Sequence, residues 1–523
     1  MASGGTSLGA ALAAGLLLAI VGPAQSAPAP LTGPTASRPD DLLLYDRQVR
    51  EATDRFLEAA PSSRCGARFE RYLDEVVKPR FDRLPPDTRT VVLRVAAACE
   101  KRKRTDAGVA LLRRLEPLAR TPAELADVNE ALMDDARIAR RYDESARRLI
   151  VVIDHDPRRV VVWKSPYVAQ ILDKVSADRA LSTALLSRMV SLPWTDAGDI
   201  AQANNDWALT YAELLVDAGD VAGAERALAK TNETATLMTV AQDRRFAPLW
   251  PRFEAAGRFD WRRATEAELA LALGAGGDDS QGKNATLARP TDLQQLLRQL
   301  QRYDEAIVLG QRYQARIKAG RKIEDANWIL NELGYALLDV GRVDQARAAF
   351  EQAIAVGENG GSSVSQKLNW AEMLNLLGQP REALAVVDSL DPDRVAAYGA
   401  MWADAERVCA ASVLQPGVLP PQLASMRTRE DDNPAALTRA LLCLDRQDET
   451  AALYIRRLAS PKHRADALKA FRKPLAAPVL TPRQIELERR RQAVIARPEV
   501  VKAMQAVGRP ITIPLAAGYW GAL

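Results

Sequence analysis

The chain has 523 residues, 47% hydrophobic, 26% charged and only 5% aromatic, and its 71 Lys and Arg against 67 Asp and Glu leave a formal net charge of +4. That near-balance gives no basic footprint for nucleic acid, and the length, against an ordinary domain of roughly 100–200 residues, implies several compact units or one long array. The apolar share leans on Ala and Leu, which favour helices whose backbones lie close together.

In chain order, the first charged residue is Arg38, and before it runs the apolar stretch Ala11 to Val21, closed by Gly22-Pro23. This run is shorter than the ~20 residues of a membrane-spanning helix. Ala24-Gln25-Ser26 places small residues where a signal peptidase inspects the chain, so residues 1–26 read as a cleaved export signal and 27–41 as a Pro-rich linker. Met1 to Gly9 carries no Lys or Arg, so a retained N-terminal anchor is the alternative. No later stretch is long and apolar enough to span a bilayer, and the expected location is periplasmic or otherwise exported.

The four cysteines fall into two pairs with one spacing, Cys65 with Cys99 and Cys409 with Cys443, each 34 residues apart. In an oxidising compartment this reads as two disulfides, with Ala96-Ala97-Ala98 and Ala410-Ala411 allowing the close helix approach that such bonds need. Four buried free thiols are the alternative. A metal site is not expected, because His155 and His463 are the only histidines and neither stands at ligand spacing to a cysteine pair.

Residues 42–273 read as an N-terminal array of paired helices. Arg141-Tyr142-Asp143-Glu144 marks a turn and helix start with acids in the first turn, where they suit the helix dipole. Asp154-His155-Asp156 ends that helix before Pro157, and the His reads as a C-terminal stabiliser rather than part of a relay. A clearer hairpin starts near Asn205, with Tyr211-Ala212-x2-Leu215, a turn at Gly219 and Ala224-x3-Leu228, and Ala256-Gly257-Arg258-Phe259 marks another turn. Residues 274–290 read as a flexible loop. Within it Gly277 to Lys283 has G-x4-G-K spacing, but Asn284 replaces the Ser or Thr of a phosphate loop and two acids sit where phosphates would lie, so no nucleotide is expected. Asn284-Ala285-Thr286 matches a glycosylation sequon, a pattern common by chance.

Residues 291–392 hold the clearest pattern. After the turn at Gln301-Arg302-Tyr303, Leu330-x2-Leu333-Gly334-x2-Leu337 is followed, thirteen residues after Leu333, by Ala346-x3-Phe350 and Ala353. A second copy reads Trp370-Ala371-x2-Leu374, Leu377-Gly378-Gln379-Pro380 and Ala383-x3-Val387, its turn glycine 37 residues after Gly341, one 34-residue period plus an insertion at Gly360-Gly361-Ser362. This pattern resembles the tetratricopeptide consensus, with Leu330 and Leu337 in place of its Trp and Tyr. The resemblance implies an all-α fold, a right-handed superhelical array of helix-turn-helix repeats, in which Gly334, Ala371 and Ala212 face Ala346, Ala383 and Ala224. It further implies that the first helix of each hairpin lines a concave partner-binding groove, marking Trp328, Asn331, Tyr335 and Leu338 in one repeat and Leu368, Glu372 and Asn375 in the next. Ordinary packing is the competing reading of these residues. Stability is expected to be gradual, repeat by repeat.

Residues 393–474 read as C-terminal hairpins interrupted by Pro416 to Pro434, with His463 at a helix start and without a partner. Residues 475–523 read as a Pro-punctuated tail with a very basic, solvated helix from Pro482 to Arg491 and the ending Ala516 to Leu523. No stretch shows sustained period-two alternation, so strands are expected to be scarce. Catalytic, cofactor and metal residues are expected to be none. The expected function is a non-catalytic periplasmic scaffold or adaptor whose groove binds a protein or peptide segment. One alternative is an accessory subunit of envelope or exopolysaccharide export machinery. Another is a cell-wall enzyme: lytic transglycosylases have a similar Ala-rich superhelix, but from Ala435 onward there is no Glu-Ser pair like theirs.

Overall fold

A computed structural model describes Arg47, Glu51, Val109, Leu112, Arg113 and residues 116–161, 165–192, 198–274, 289–358, 361 and 363–517. The export signal, the linker, Cys65, Cys99, the Gly277–Lys283 motif, the sequon and Gly518 to Leu523 lie outside the described residues. Among the described residues the fold is all-α apart from two short strands. Two compact units divide the chain, Met1–Thr195 and Asp196–Leu523. Among the described residues no helix is long and apolar enough to cross a membrane.

The first unit contains α1 (Pro122–Ile138), α2 (Tyr142–His155), α3 (Pro157–Val161), α4 (Ser165–Val175) and α5 (Arg179–Ser191). A capping box starts α1: Glu124 N donates to Thr121 Oγ1 and Thr121 N to the Glu124 carboxylate, with Pro122 at the first position. Ala126, Leu132 and Ala136 of α1 and Ala146, Leu149 and Val152 of α2 are buried. His155 closes α2 directly before α3, as a helix-ending residue.

The second unit opens with α6 (Gly198–Asp217), α7 (Val221–Leu228), α8 (Thr234–Gln242), α9 (Trp250–Ala255) and α10 (Trp261–Gly274). It continues with α11 (Pro290–Gln299), α12 (Tyr303–Lys318), α13 (Ala326–Asp339), α14 (Val343–Val356), α15 (Val364–Leu376) and α16 (Pro380–Asp388). Then come α17 (Ala397–Leu414), α18 (Gln422–Thr428), α19 (Pro434–Cys443), α20 (Gln447–Ala459) and α21 (Arg464–Lys469). The chain finishes with β1 (Arg472–Leu475), α22 (Pro482–Ile495), α23 (Pro498–Val507) and β2 (Ile511–Ala516). One apolar core runs through this unit from Ala212 to Leu515, so α10 and α11, on either side of residues 274–290, belong to the same body.

One turn geometry closes six hairpins. Arg140, Gly219, Gln301, Gly341, Gly378 and Asp445 all have positive φ, and in each case the second helix begins two residues later. The N–H one residue past each of them reaches back across the turn: Arg141 to Ala136 O, Asp220 to Leu215 O, Arg302 to Leu297 O, Arg342 to Leu337 O, Gln379 to Leu374 O and Arg446 to Leu441 O, all at 2.7–2.9 Å. These bonds satisfy carbonyls that the helix end leaves without partners and fix the angle at which the next helix returns. Between hairpins the space is filled by Phe350, which stacks on Trp370 at 5.0 Å and meets the edge of Tyr335 at 5.3 Å. Gly334 makes this possible, because a Cβ there would sit 2.6 Å from the Phe350 ring.

Cys409 of α17 and Cys443 of α19 form a disulfide with Cα atoms 5.1 Å apart. Closing a loop of this length stabilises by on the order of 3–4 kcal/mol in the chain-entropy account. The tail departs from the sequence expectation, since β1 and β2 pair in parallel, Arg472 beside Ile511. Along β2 the burial alternates, Ile511, Ile513 and Leu515 inward and Thr512 and Pro514 outward, a short period-two run that the sequence does contain.

The shared turn yields a paired prediction. Gly341→Ala should cost about 1 kcal/mol, because alanine resists the left-handed backbone, whereas Gln301→Gly should stabilise by up to about 1 kcal/mol by relieving the same strain. Urea unfolding midpoints check both signs.

Candidate functional site

Of the seven residues expected to line a groove, Trp328 alone reaches the surface, at 36% exposure; Asn331, Tyr335, Leu338, Leu368, Glu372 and Asn375 are buried, at 6% or less. They sit on α13 and α15, and these helices together with α11, α17 and α19 close over them. A polar network fills the space.

Arg298 of α11, with no exposed surface, places Nε 2.8 Å from Asp339 Oδ2 and Nη1 3.0 Å from Glu332 Oε2, both on α13. Gln295 Nε2 donates to the other Glu332 oxygen at 3.0 Å. Asn369 of α15 donates to Asn331 Oδ1 at 3.1 Å. Arg439 of α19 bridges two further helices, with Nη1 3.2 Å from Glu372 of α15 and Nε 2.6 Å from Glu406 of α17, while Asn375 Nδ2 donates to Glu406 Oε2 at 2.8 Å. Arg457 of α20 extends the series, donating to Thr438 Oγ1 at 2.8 Å and to Asp466 Oδ2 at 2.5 Å. Burial pushes the Glu332 and Asp339 carboxyls up, and Arg298 opposes that push without cancelling it. Burial, then the Glu372 and Glu332 charges, hold the Tyr335 phenol well above its usual range.

The basic helix α22 is a packed strap, not a solvated cap. Val479 N donates to Asp339 O at 3.3 Å and Thr481 Oγ1 to Leu376 O at 2.6 Å. Arg483 reaches Ser412 Oγ at 2.9 Å, and Arg490 Nη1 donates to Leu442 O and Cys443 O, each at 2.8 Å. The strap thus crosses the C-terminal ends of α13, α15, α17 and α19, where free carbonyls and the negative ends of helix dipoles favour guanidinium groups. Its apolar side, Leu487, Val494 and Ile495, is buried. Gln242 then ties the tail to the start of the unit, donating to Leu468 O at 2.5 Å and accepting from Arg472 Nε at 3.0 Å and, through its carbonyl, from Arg509 N at 2.9 Å.

The accessible part of this face is its rim, at the N-terminal ends of the first helices. Trp328 stands in the first turn of α13 and Tyr398, 47% exposed, in the first turn of α17. The Tyr398 phenol is pushed up by burial and by Asp466 and Glu372, against a hydrogen bond with Asn433. His463 also has a partner that the sequence did not suggest, with Nε2 3.1 Å from Asp431 Oδ1. Sequence reasoning passed over Arg298, Glu332, Asp339, Glu406 and Arg439. The available signal was charge inside apolar helices at the repeat interval: Arg298 and Glu332 stand 34 residues apart, as do Glu372 and Glu406.

Arg439→Met should destabilise by about 3–5 kcal/mol, since it leaves Glu372 and Glu406 buried without their shared counter-charge; denaturant titration measures it. Elsewhere in the unit Glu233, before α8, is pushed up to about 7 by burial and then, against a hydrogen bond from Thr236, by Asp206 and Glu268. An acid whose folded pKa lies above its unfolded value, about 4.3, keeps its proton longer in the native state, so stability falls as pH rises through that interval. Glu233→Gln should therefore flatten the decline between pH 4 and pH 8, read from urea midpoints across that range.

No protein-family model matches the chain, and no curated protein matches it.

Proposed function

We propose that the chain is an exported scaffold of tetratricopeptide type, a right-handed superhelical array that holds a protein partner and carries out no reaction itself. Five hairpins of the second unit, closed by one turn at Gly219, Gln301, Gly341, Gly378 and Asp445, support the repeat reading, since repeated hairpins offer an ordered edge to a ligand. The Cys409–Cys443 bond supports an oxidising compartment. The partner is held at the rim rather than along the buried first-helix faces.

The observation that carries this reading is the pair of exposed aromatics, Trp328 and Tyr398, set at the same end of two first helices. Large aromatics anchor interfaces because they bury much surface at little entropic cost.

Affinity capture from an envelope extract, with the chain beside its Trp328→Ala/Tyr398→Ala variant, tests the proposal. A defined protein recovered by the parent and reduced at least about tenfold by the variant is expected, as the loss of two aromatic anchors implies. Equal recovery by both, or retention on peptidoglycan with no protein bound, overturns it.

A further inference from the structure

The end of α12 and the loop after it carry Arg316, Lys318, Arg321 and Lys322, and from Glu305 to Glu324 there is no intervening acid. None of these four bases forms an ion pair among the described residues. Their neighbours do: Arg298 with Glu332 and Asp339, Arg302 with Glu305, Arg342 with Asp304 and Arg347 with Glu382. Lys318, Arg321 and Lys322 are exposed, and Arg316 is half-buried with its guanidinium 5.5 Å from the Tyr313 ring. A chain whose total formal charge is +4 thus gathers four cations into seven residues.

Helix electrostatics account for part of this. Arg316 and Lys318 lie in the last turn of α12, where cations offset the dipole by about 0.3–1 kcal/mol each. Arg321 and Lys322 lie beyond the helix end, past Gly320 at φ +76, and gain nothing comparable. The loop leads directly into α13, whose first turn holds Trp328.

We propose that this patch docks an acidic segment of the partner protein, with Trp328 as the adjoining apolar contact. The inference rests on the scaffold function proposed above and gives the partner its chemistry. The number of charges decides among anions. Four cations answer three or four carboxylates, fewer than the roughly 6–10 phosphates that a duplex nucleic-acid site can engage. An exposed patch of separate cations suits several spaced charges better than one small anion. Tyr313 and Trp328 add aromatic surface that a polypeptide's side chains can use.

The test uses the full chain and a fluorescein-labelled peptide of four Glu-Asp-Gly repeats, followed by anisotropy at 50 and 200 mM salt. Binding should weaken with salt and fall at least tenfold in Arg321→Glu/Lys322→Glu and in Arg316→Gln/Lys318→Gln, but not in Arg489→Glu/Lys502→Glu, which removes exposed cations elsewhere. Absence of binding, or equal loss in all three variants, overturns the proposal. So does binding to vesicles of phosphatidylcholine and phosphatidylglycerol that the patch variants abolish while the peptide does not bind. Failure of the capture experiment with peptide binding intact refutes the rim alone, because the patch variants leave Trp328 and Tyr398 unchanged.

Discussion

Two guanidinium groups held away from water, Arg298 and Arg439, set how the first helices of the second unit stand against one another. Each answers carboxylates on neighbouring helices: Arg298 links α11 to α13, and Arg439 links α19 to both α17 and α15. Apolar contact alone would let one Ala- and Leu-rich helix slide past another, because such contact has no direction. A buried charge has direction, since moving a carboxylate away from its guanidinium in a low-dielectric interior costs several kcal/mol. The Asn331–Asn369 and Asn375–Glu406 bonds extend the same constraint between the two arginine sites.

With that face committed to structure, the proposed recognition surface lies at the ends of the helices. The C-terminal ends are taken by the chain's own strap, whose Thr481, Arg483 and Arg490 satisfy carbonyls of α15, α17 and α19 or their flanking side chains. At the N-terminal ends of α13 and α17 the aromatics Trp328 and Tyr398 are exposed, and the loop before α13 carries cations that form no ion pair among the described residues. Inner faces give rigidity and one edge gives internal closure, which leaves the other edge for the partner in the proposed function.

Much of the fold is legible because the turn is legible. Gly219, Gly341 and Gly378 announce the left-handed backbone in the residue type itself, and the hairpins they close are the ones that a reader of the sequence finds first. Arg140, Gln301 and Asp445 adopt the same backbone without glycine, so their hairpins look like faint copies or go unseen. That Asn331, Tyr335, Glu372 and Asn375 fall on α13 and α15 is legible, but the polar network around them is not, because Arg298 and Arg439 arrive from helices remote in sequence. The run of arginines in α22 reads as solvated for a related reason: the carbonyls that it meets belong to helix ends scattered from Leu376 to Cys443. In β2 the period-two signal is only five residues long, too short to stand out in a helical background.

If the buried guanidinium series is what holds the first helices in register, those helices form one cooperative block instead of a chain of independent repeats. Native-state hydrogen exchange in rising urea measures this directly. The account predicts that the most protected amides of α13, α15, α17 and α19 merge into a single opening with one common free energy. Separate openings, hairpin after hairpin at distinct free energies, would contradict it.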